Sequence, residues 1–478
     1  MQEITETILS RLKYFAENTP NKICLIEAAS DRKISYGEFW SNILKYAAQV
    51  QADKLYILQT RQTINHFIAF YGVQAAGSIA IPVESTSTAE RLAEFSRQFN
   101  AEILPVEFNL SDTEIKFTPP NPAQISCIIC TTGTTGKSKG VLSSFRCRFC
   151  DADNVRYAYE ITADDIALVP QMFSHSGGLR RVEAMLISGA TAVIMGATMF
   201  FGNVFNAIKK YSCNILQFVP AQVAQILQRA ERFLIDVAPQ LKILSVGSAA
   251  ISENDKEHLR KILPNVRLVN DFGSTEAIGS AYFEWSAFPP KPNCIGTAGI
   301  HSKIVFVDDN GNLLTNTSYN SPGILATEGE TRMSGYFNDA KLTNEIMRNN
   351  RVISADLGYL GNDGLIYLIG RKDDIIISGA NKISPVEIEN AVAQLSNVKE
   401  CACVPRQDKI MGQMPALFIV LKNPLPLEKL INLLSDKLDR FKIPRAEDIH
   451  IVDNLPRTLG TGKIIKRQLI ERLNDENL

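Results

Sequence analysis

The run Ser126-Cys-Ile-Ile-Cys-Thr-Thr-Gly-Thr-Thr-Gly-Lys-Ser-Lys-Gly-Val141 joins an apolar segment to a loop suited to anions. Ile128 and Ile129 predict a buried strand, because β-branched side chains suit a pleated surface. The loop after it holds five hydroxyl residues, three glycines and two lysines. Glycine lets a backbone turn tightly and bring its N–H groups up to an anion. Hydroxyls donate to phosphate oxygens, and lysine neutralises them. The segment therefore reads as a phosphate cradle, with a flexible surface loop as the alternative. It is not the nucleotide loop G-x-x-x-x-G-K-[ST], because Thr131 stands where the first glycine belongs.

At 478 residues the chain is too long for one core, so several domains are expected. A net charge of −1 offers no global field for nucleic acid or an anionic membrane. The N-terminus, Met1-Gln-Glu-Ile-Thr-Glu, is acidic and lacks the apolar core of a secretory signal. No apolar run reaches the ~18 residues that span a bilayer. The expected location is the cytoplasm, where nine cysteines, an odd number, suit reduced thiols. Cys127-x2-Cys130 and Cys147-x2-Cys150 formally fit a zinc spacing. Residues three apart on a strand point to opposite faces, so the first pair is not expected to converge on one ion.

Residues 1 to about 118 alternate helical and strand patterns, which implies a helix-covered, largely parallel sheet. Residues 144–160 read as a helix, and Gln171 to Gly178 as a polar loop. Strands are predicted near 166–169, 191–195, 215–218, 242–246 and 266–269. Short strands with turn residues between them over 300–370 suggest a small antiparallel or barrel-like subdomain. From about Arg371 an α+β segment of domain size begins. The expectation is α/β: a large N-terminal domain over 1–370 and a small mobile α+β domain over 371–478.

Further motifs recur in a familiar order. They are Asp271-Phe-Gly-Ser-Thr-Glu276, Ser354-Ala-Asp356, Gly370-Arg-Lys-Asp-Asp-Ile-Ile-Ile-Ser-Gly379, and Leu455-Pro-Arg-Thr458 to Gly462-Lys463. With the glycine loop they make the chain resemble the adenylate-forming superfamily of acyl- and aryl-CoA ligases, luciferases and peptide-synthetase adenylation domains. The form it most resembles is a stand-alone acyl- or aryl-CoA ligase. The resemblance implies that a carboxylic acid is activated by ATP and Mg²⁺ to an acyl-adenylate with release of pyrophosphate. Transfer to CoA, or to the phosphopantetheine of a carrier protein, follows.

The chemistry brings anions together, so cations and oriented donors must screen them. By resemblance, Thr131, Thr132, Gly133, Thr134, Thr135, Gly136 and Lys139 close over the β- and γ-phosphates. Phe272, Gly273 and Thr275 would meet the nucleotide, with Thr275 donating to the α-phosphate. Glu276 would hold Mg²⁺, since a hard cation takes carboxylate oxygen; a solvated carboxylate at a helix start is the alternative. Asp356 and Arg371 would hold the ribose. Lys463 would bridge the substrate carboxylate and the α-phosphate, and Asp373 would be the hinge of the small domain.

The acid would lie against His175, Gly177, Gly178, Val246, Gly247, Ser248, Ala249 and Asp271. His175 matches a histidine of CoA ligases, although a satisfied structural histidine remains open. Gly177 and Gly178 are expected to leave space, and Arg180 and Arg181 to be solvent-exposed, with a contact to a second acidic group as the alternative. Asp271 reads either as a contact for an amine or hydroxyl on the substrate or as an acceptor for backbone N–H groups. Ser174 stands where amino-acid-activating relatives place an aspartate, which argues against an α-amino acid. Ser138 and Phe145 depart from the family's usual proline and histidine, and Ile324 and Ala355 from its glutamate and glycine. No carrier segment follows Lys463, so the acceptor is expected in trans, with a non-catalytic adenylate-binding relative as the remaining alternative.

Overall fold

The computed structural model describes residues 4–105, 107–132, 138–196, 200–379, 381–457 and 464–475. One sheet of six strands runs in the order Gly335–Tyr336, Ser138–Ser144, Ile125–Thr132, Ile79–Glu84, Leu55–Thr60 and Glu102–Ile103. Its last four strands are parallel and its first two pairings antiparallel. A second sheet, of 14 strands, has a parallel centre, Thr191–Ile194, Ile166–Val169, Ile215–Phe218, Ile243–Gly247 and Arg267–Phe272. Beyond Phe272 it turns antiparallel through Ala281–Glu284, Cys294–Ala298, Ile366–Arg371, Arg351–Leu360, Gly323–Gly329 and Ser302–Val307. The antiparallel region expected over 300–370 is present. It continues the large sheet, with Ser302–Val307 as the last strand on that side among the described residues.

Helices Ile64–Ala75, Phe145–Tyr159 and Ser176–Ile187 share one apolar core with strands of both sheets. A helix lying between two sheets must be buried on all sides. Accordingly every residue from Gly178 to Ile187 is buried, although that segment contains Arg180, Arg181 and Glu183. Helix 145–159 likewise buries Arg148, Asp151 and Asp153, and Ser144 caps its start by accepting from the Cys147 N–H at 3.1 Å. Charges in such a layer are tolerated only in pairs.

The third sheet, built from Ile376–Ser378, Asn381–Ile383, Val398–Asp408, Gly412–Leu421 and Ile449–Ile451, belongs to the smaller C-terminal part. Its helix Pro385–Ala393 meets the larger part through polar contacts. Tyr319 donates to Glu387 at 2.7 Å, Asn390 donates to Asn293 at 2.9 Å, and Asn254 donates to the Ala393 carbonyl.

All nine cysteines are free, and Cys127 and Cys130 differ in burial as opposite faces of a strand require. Among the described residues no helix is long and apolar enough to cross a membrane.

Candidate active site

The glycine loop departs from its sequence reading at one end. Ser138, Lys139 and Gly140 are not loop but the start of the strand Ser138–Ser144. That strand pairs antiparallel with Ile125–Thr132, setting Lys139 opposite Thr131 and Ser138 opposite Thr132. Few large apolar residues mark this strand in the sequence; the ladder on both sides makes it. Ser138 is fixed by Arg91, which donates to its hydroxyl at 2.6 Å, and by Gln98, which donates to its carbonyl at 2.8 Å. Gly133, Thr134, Thr135 and Gly136 lie outside the described residues, as does Lys463.

Phe272 ends a strand, and Gly273 to Glu276 follow it as irregular backbone, with Gly273 and Ser274 exposed and Thr275 and Glu276 half-buried. No helix starts at Glu276, so the reading of a helix-start carboxylate does not hold. The segment is held by bonds to residues 331–337. Met333 N–H donates to the Glu276 carbonyl at 2.8 Å, and Ala277 and Arg332 form an antiparallel bridge. The Tyr336 hydroxyl donates to Glu276 Oε1 at 2.8 Å, while the Lys139 ammonium lies 5.7 Å from the centre of the Tyr336 ring. Burial, and then Glu276, push the Tyr336 phenol well above its ordinary pKa, so it serves as a donor. Tyr336 carries no motif signal of its own, and the sequence reading missed it.

Among the described residues no three His, Cys, Asp or Glu side chains form a metal cage. A hard cation held by one carboxylate, phosphate oxygens and water needs no such cage. Glu276 fits that use, since among the described residues a neutral hydroxyl, and no cation, occupies its carboxylate.

Asp356 and Arg371 stand opposite each other on neighbouring antiparallel strands, so both chains of the ribose motif meet at one place. The Asp356 N–H donates to Ser354 Oγ at 2.9 Å. Asp373 sits in the exposed turn Lys372–Asp374, next to Lys372, which pairs with Asp309.

On the acid side, His175 precedes helix Ser176–Ile187. Its ring does not cap the helix; Nε2 lies 3.2 Å from Glu84 Oε1. The bond from His175 holds the Glu84 carboxyl below its ordinary pKa. A Cβ at Gly177 would meet Arg181 Nη1 at 3.6 Å and Ser248 Oγ at 3.9 Å, ordinary contacts, so a methyl group would fit there without a clash. Gly178 has no such room, because a Cβ there would strike the Met172 carbonyl oxygen at 2.4 Å; its bareness serves helix packing. Val246 is fully buried, and Ser248 turns the chain with a left-handed backbone (φ 73°) that leaves Ser248 and Ala249 exposed.

Arg180 and Arg181 correct the expectation of exposure, at 4% and 7%. Both donate to Asp271 Oδ2, at 2.6 and 2.7 Å, and Gln217 donates to Oδ1 at 3.3 Å. Burial alone would raise the Asp271 pKa; Arg181 and then Arg180 outweigh it and hold the carboxyl below its ordinary range. Asp271 is therefore held chiefly by two guanidiniums, with its own backbone N–H adding to them. Gly247 makes room for it, since a Cβ there would lie 2.0 Å from Asp271 Oδ1. Asp151 lies 3.7 Å from Arg180 and 3.5 Å from Arg148, and Arg148 pairs with Glu183. Burial pushes Asp151 and Glu183 up against the pull of these arginines. The sequence signal for this network was three charged residues, Arg180, Arg181 and Glu183, in a helix whose every face meets the core.

With this geometry in view, two family models match the chain: "AMP-binding enzyme" over residues 101–337 and "AMP-binding enzyme C-terminal domain" over residues 387–463. Indoleacetate–CoA ligase of Aromatoleum aromaticum is 29% identical over 357 residues, covering 73% of this chain and 68% of the relative. 2-Succinylbenzoate–CoA ligase of Bacillus licheniformis is 24% identical over 96% of this chain and 98% of the relative. Among solved structures, o-succinylbenzoate CoA synthetase from Bacillus subtilis with its acyl-adenylate intermediate superposes with a TM-score of 0.84 at 21% identity, covering 98% of each chain. The same enzyme with ATP and magnesium ion gives 0.83 at 21% identity, covering 98% of this chain and all of the other.

Proposed function

The chain belongs to the AMP-binding enzyme family, and on that premise we propose that it is an AMP-forming acid–CoA ligase. A carboxylate oxygen of the acid attacks the α-phosphorus of ATP, the bond to the β-phosphate oxygen breaks, and pyrophosphate leaves. The CoA thiol then loses its proton as sulfur attacks the acyl carbon, giving a thioester and AMP.

The observation that carries this reading is the meeting of motifs distant in sequence: Lys139 and Glu276 share Tyr336, and Asp356 faces Arg371. Lys139 and the hydroxyl-rich loop would hold the β- and γ-phosphates, which screens the leaving group. Glu276 would hold Mg²⁺, which when bound neutralises phosphate charge. Asp356 and Arg371 would orient the ribose, and Lys463 would draw the carboxylate and α-phosphate together. His175, ordered on Glu84, would stand beside the acid's carboxylate. The part beginning at 371 would swing about Asp373, so that one site serves two half-reactions.

CoA as acceptor is supported by relatives that are CoA ligases, and a carrier protein draws no such support. For the acid, relatives named for indoleacetate and 2-succinylbenzoate favour an acyl group that carries an aromatic ring. The test is ATP-dependent pyrophosphate release across a panel of aryl and alkyl acids, with and without CoA. Release with an aryl acid, with AMP and thioester in equal amounts when CoA is present, is the expected result. No release with any acid would sink the enzymatic reading. Lys463→Ala should abolish adenylate formation and spare transfer from supplied acyl-adenylate; equal loss of both steps removes Lys463 from the α-phosphate.

A further inference from the structure

We propose that Tyr336 is the positioning residue of the magnesium site, orienting the Glu276 carboxylate from behind while its ring seats Lys139. The inference rests on the family reading of Glu276 and adds a residue that no motif marks.

Tyr336 is held from three directions. It lies on the strand Gly335–Tyr336, which pairs with the phosphate strand Ser138–Ser144, with Tyr336 opposite Val141. The next residue, Phe337, donates its N–H to the Gly140 carbonyl at 2.8 Å. The Tyr336 N–H itself donates to Thr343 Oγ1 at 2.9 Å. At 7% exposure the ring has little room to turn away. From this fixed place the hydroxyl reaches Glu276 Oε1 at 2.8 Å, and the ring takes the Lys139 ammonium at 5.7 Å, within cation–π range.

The consequence is chemical. A carboxylate side chain has several rotamers, and a donor to one oxygen selects the rotamer that presents the other. The Glu276 main chain is fixed by Met333 and the bridge at Ala277, which leaves the side-chain rotamer to be set. Lys139, meanwhile, makes no ion pair among the described residues and rests on the same ring. One aromatic side chain therefore ties the proposed cation ligand to the proposed leaving-group lysine.

The test is calorimetric titration of ATP into the full-length protein, in Mg²⁺ and in EDTA. Tyr336→Phe removes one oxygen and keeps the ring for Lys139. ATP affinity in EDTA should stay within about twofold of the wild type, while the gain on adding Mg²⁺ should shrink by about tenfold or more. In a Glu276→Gln background the same substitution should have no further effect on that gain. An undiminished Mg²⁺ gain in folded Tyr336→Phe overturns the inference and leaves the family reading standing. Wild-type protein that binds no ATP overturns both. Should Tyr336→Phe fail to fold, 3-fluorotyrosine at 336 keeps the shape and alters the phenol as a donor. A shifted Mg²⁺ gain then supports the role, and an unshifted one overturns it.

Discussion

Two sets of charged groups flank the proposed site, and they differ in what their charges are free to do. On the acid side Arg180, Arg181 and Asp271 are buried and bonded to one another, with Arg148, Asp151 and Glu183 behind them. On the phosphate side Lys139, Glu276 and Arg371 are partly or fully exposed and make no ion pair among the described residues. A buried charge without a partner costs several kcal/mol, so the first set must be complete before any substrate arrives. The second set keeps its charges for a ligand. Exposure and incomplete pairing, more than the presence of a charged residue, separate binding groups from framework here.

The largest effect should come from breaking the buried set. Asp271→Asn leaves two guanidiniums facing a neutral amide and should cost about 3–5 kcal/mol in chemical denaturation. A loss below about 1 kcal/mol would mean that the arginines have another partner and that Asp271 is open to substrate after all. Gly247→Ala presses on the same carboxylate from the other side. Its Cβ would lie 2.0 Å from Oδ1 and 3.0 Å from the Asp271 carbonyl oxygen, so the strand must shift. The expected cost is about 1–3 kcal/mol, and a variant as stable as the wild type would show that the carboxylate moves aside freely.

A third effect sharpens the contrast through pH. His66 is 6% exposed, stacks on Phe173 at 6.2 Å, and has no partner for Nε2 among the described residues. Burial drops its pKa from 6.5 to about 3. The unfolded chain therefore takes up a proton near pH 6.5 that the folded chain refuses until about pH 3. Stability should fall as pH drops through that window, by about 2 kcal/mol at pH 5. His66→Phe should flatten this part of the profile, and an unchanged slope would show that other groups set it.

These residues were not equally legible. Glu276, Asp356 and Arg371 each lie in a short run whose spacing can be read directly, and the fold brings those runs together. The parallel sheet was legible for a similar reason, since apolar strands alternate with helical periods along the chain. Arg180 and Arg181 were misread because their pairing with Asp271 joins a helix to a strand far away in sequence, and a charge reads as exposed until its partner is known. Tyr336 escaped for want of any local pattern. The strand Ser138–Ser144 was hidden by its own composition, since it is held in the sheet by pairing on both edges.

The smallest expected effect on stability tests the contrast at the mouth of the site. His175 and Glu84 lie 3.2 Å apart, but their side chains are 40% and 42% exposed. An exposed pair of this kind contributes under about 1 kcal/mol, so His175→Ala should unfold almost as the wild type does at pH 7. The Glu84 pKa is depressed in the folded state, so what the pair contributes is present above the unfolded value and is lost as pH falls through the folded one. If His175 serves the acid's carboxylate, the variant should nevertheless lose about tenfold or more in pyrophosphate release. A large loss of stability with little loss of rate would reverse the assignment and make His175 framework, like Arg180. A loss of rate with stability intact would set it with Glu276, among the groups whose charges face the ligand.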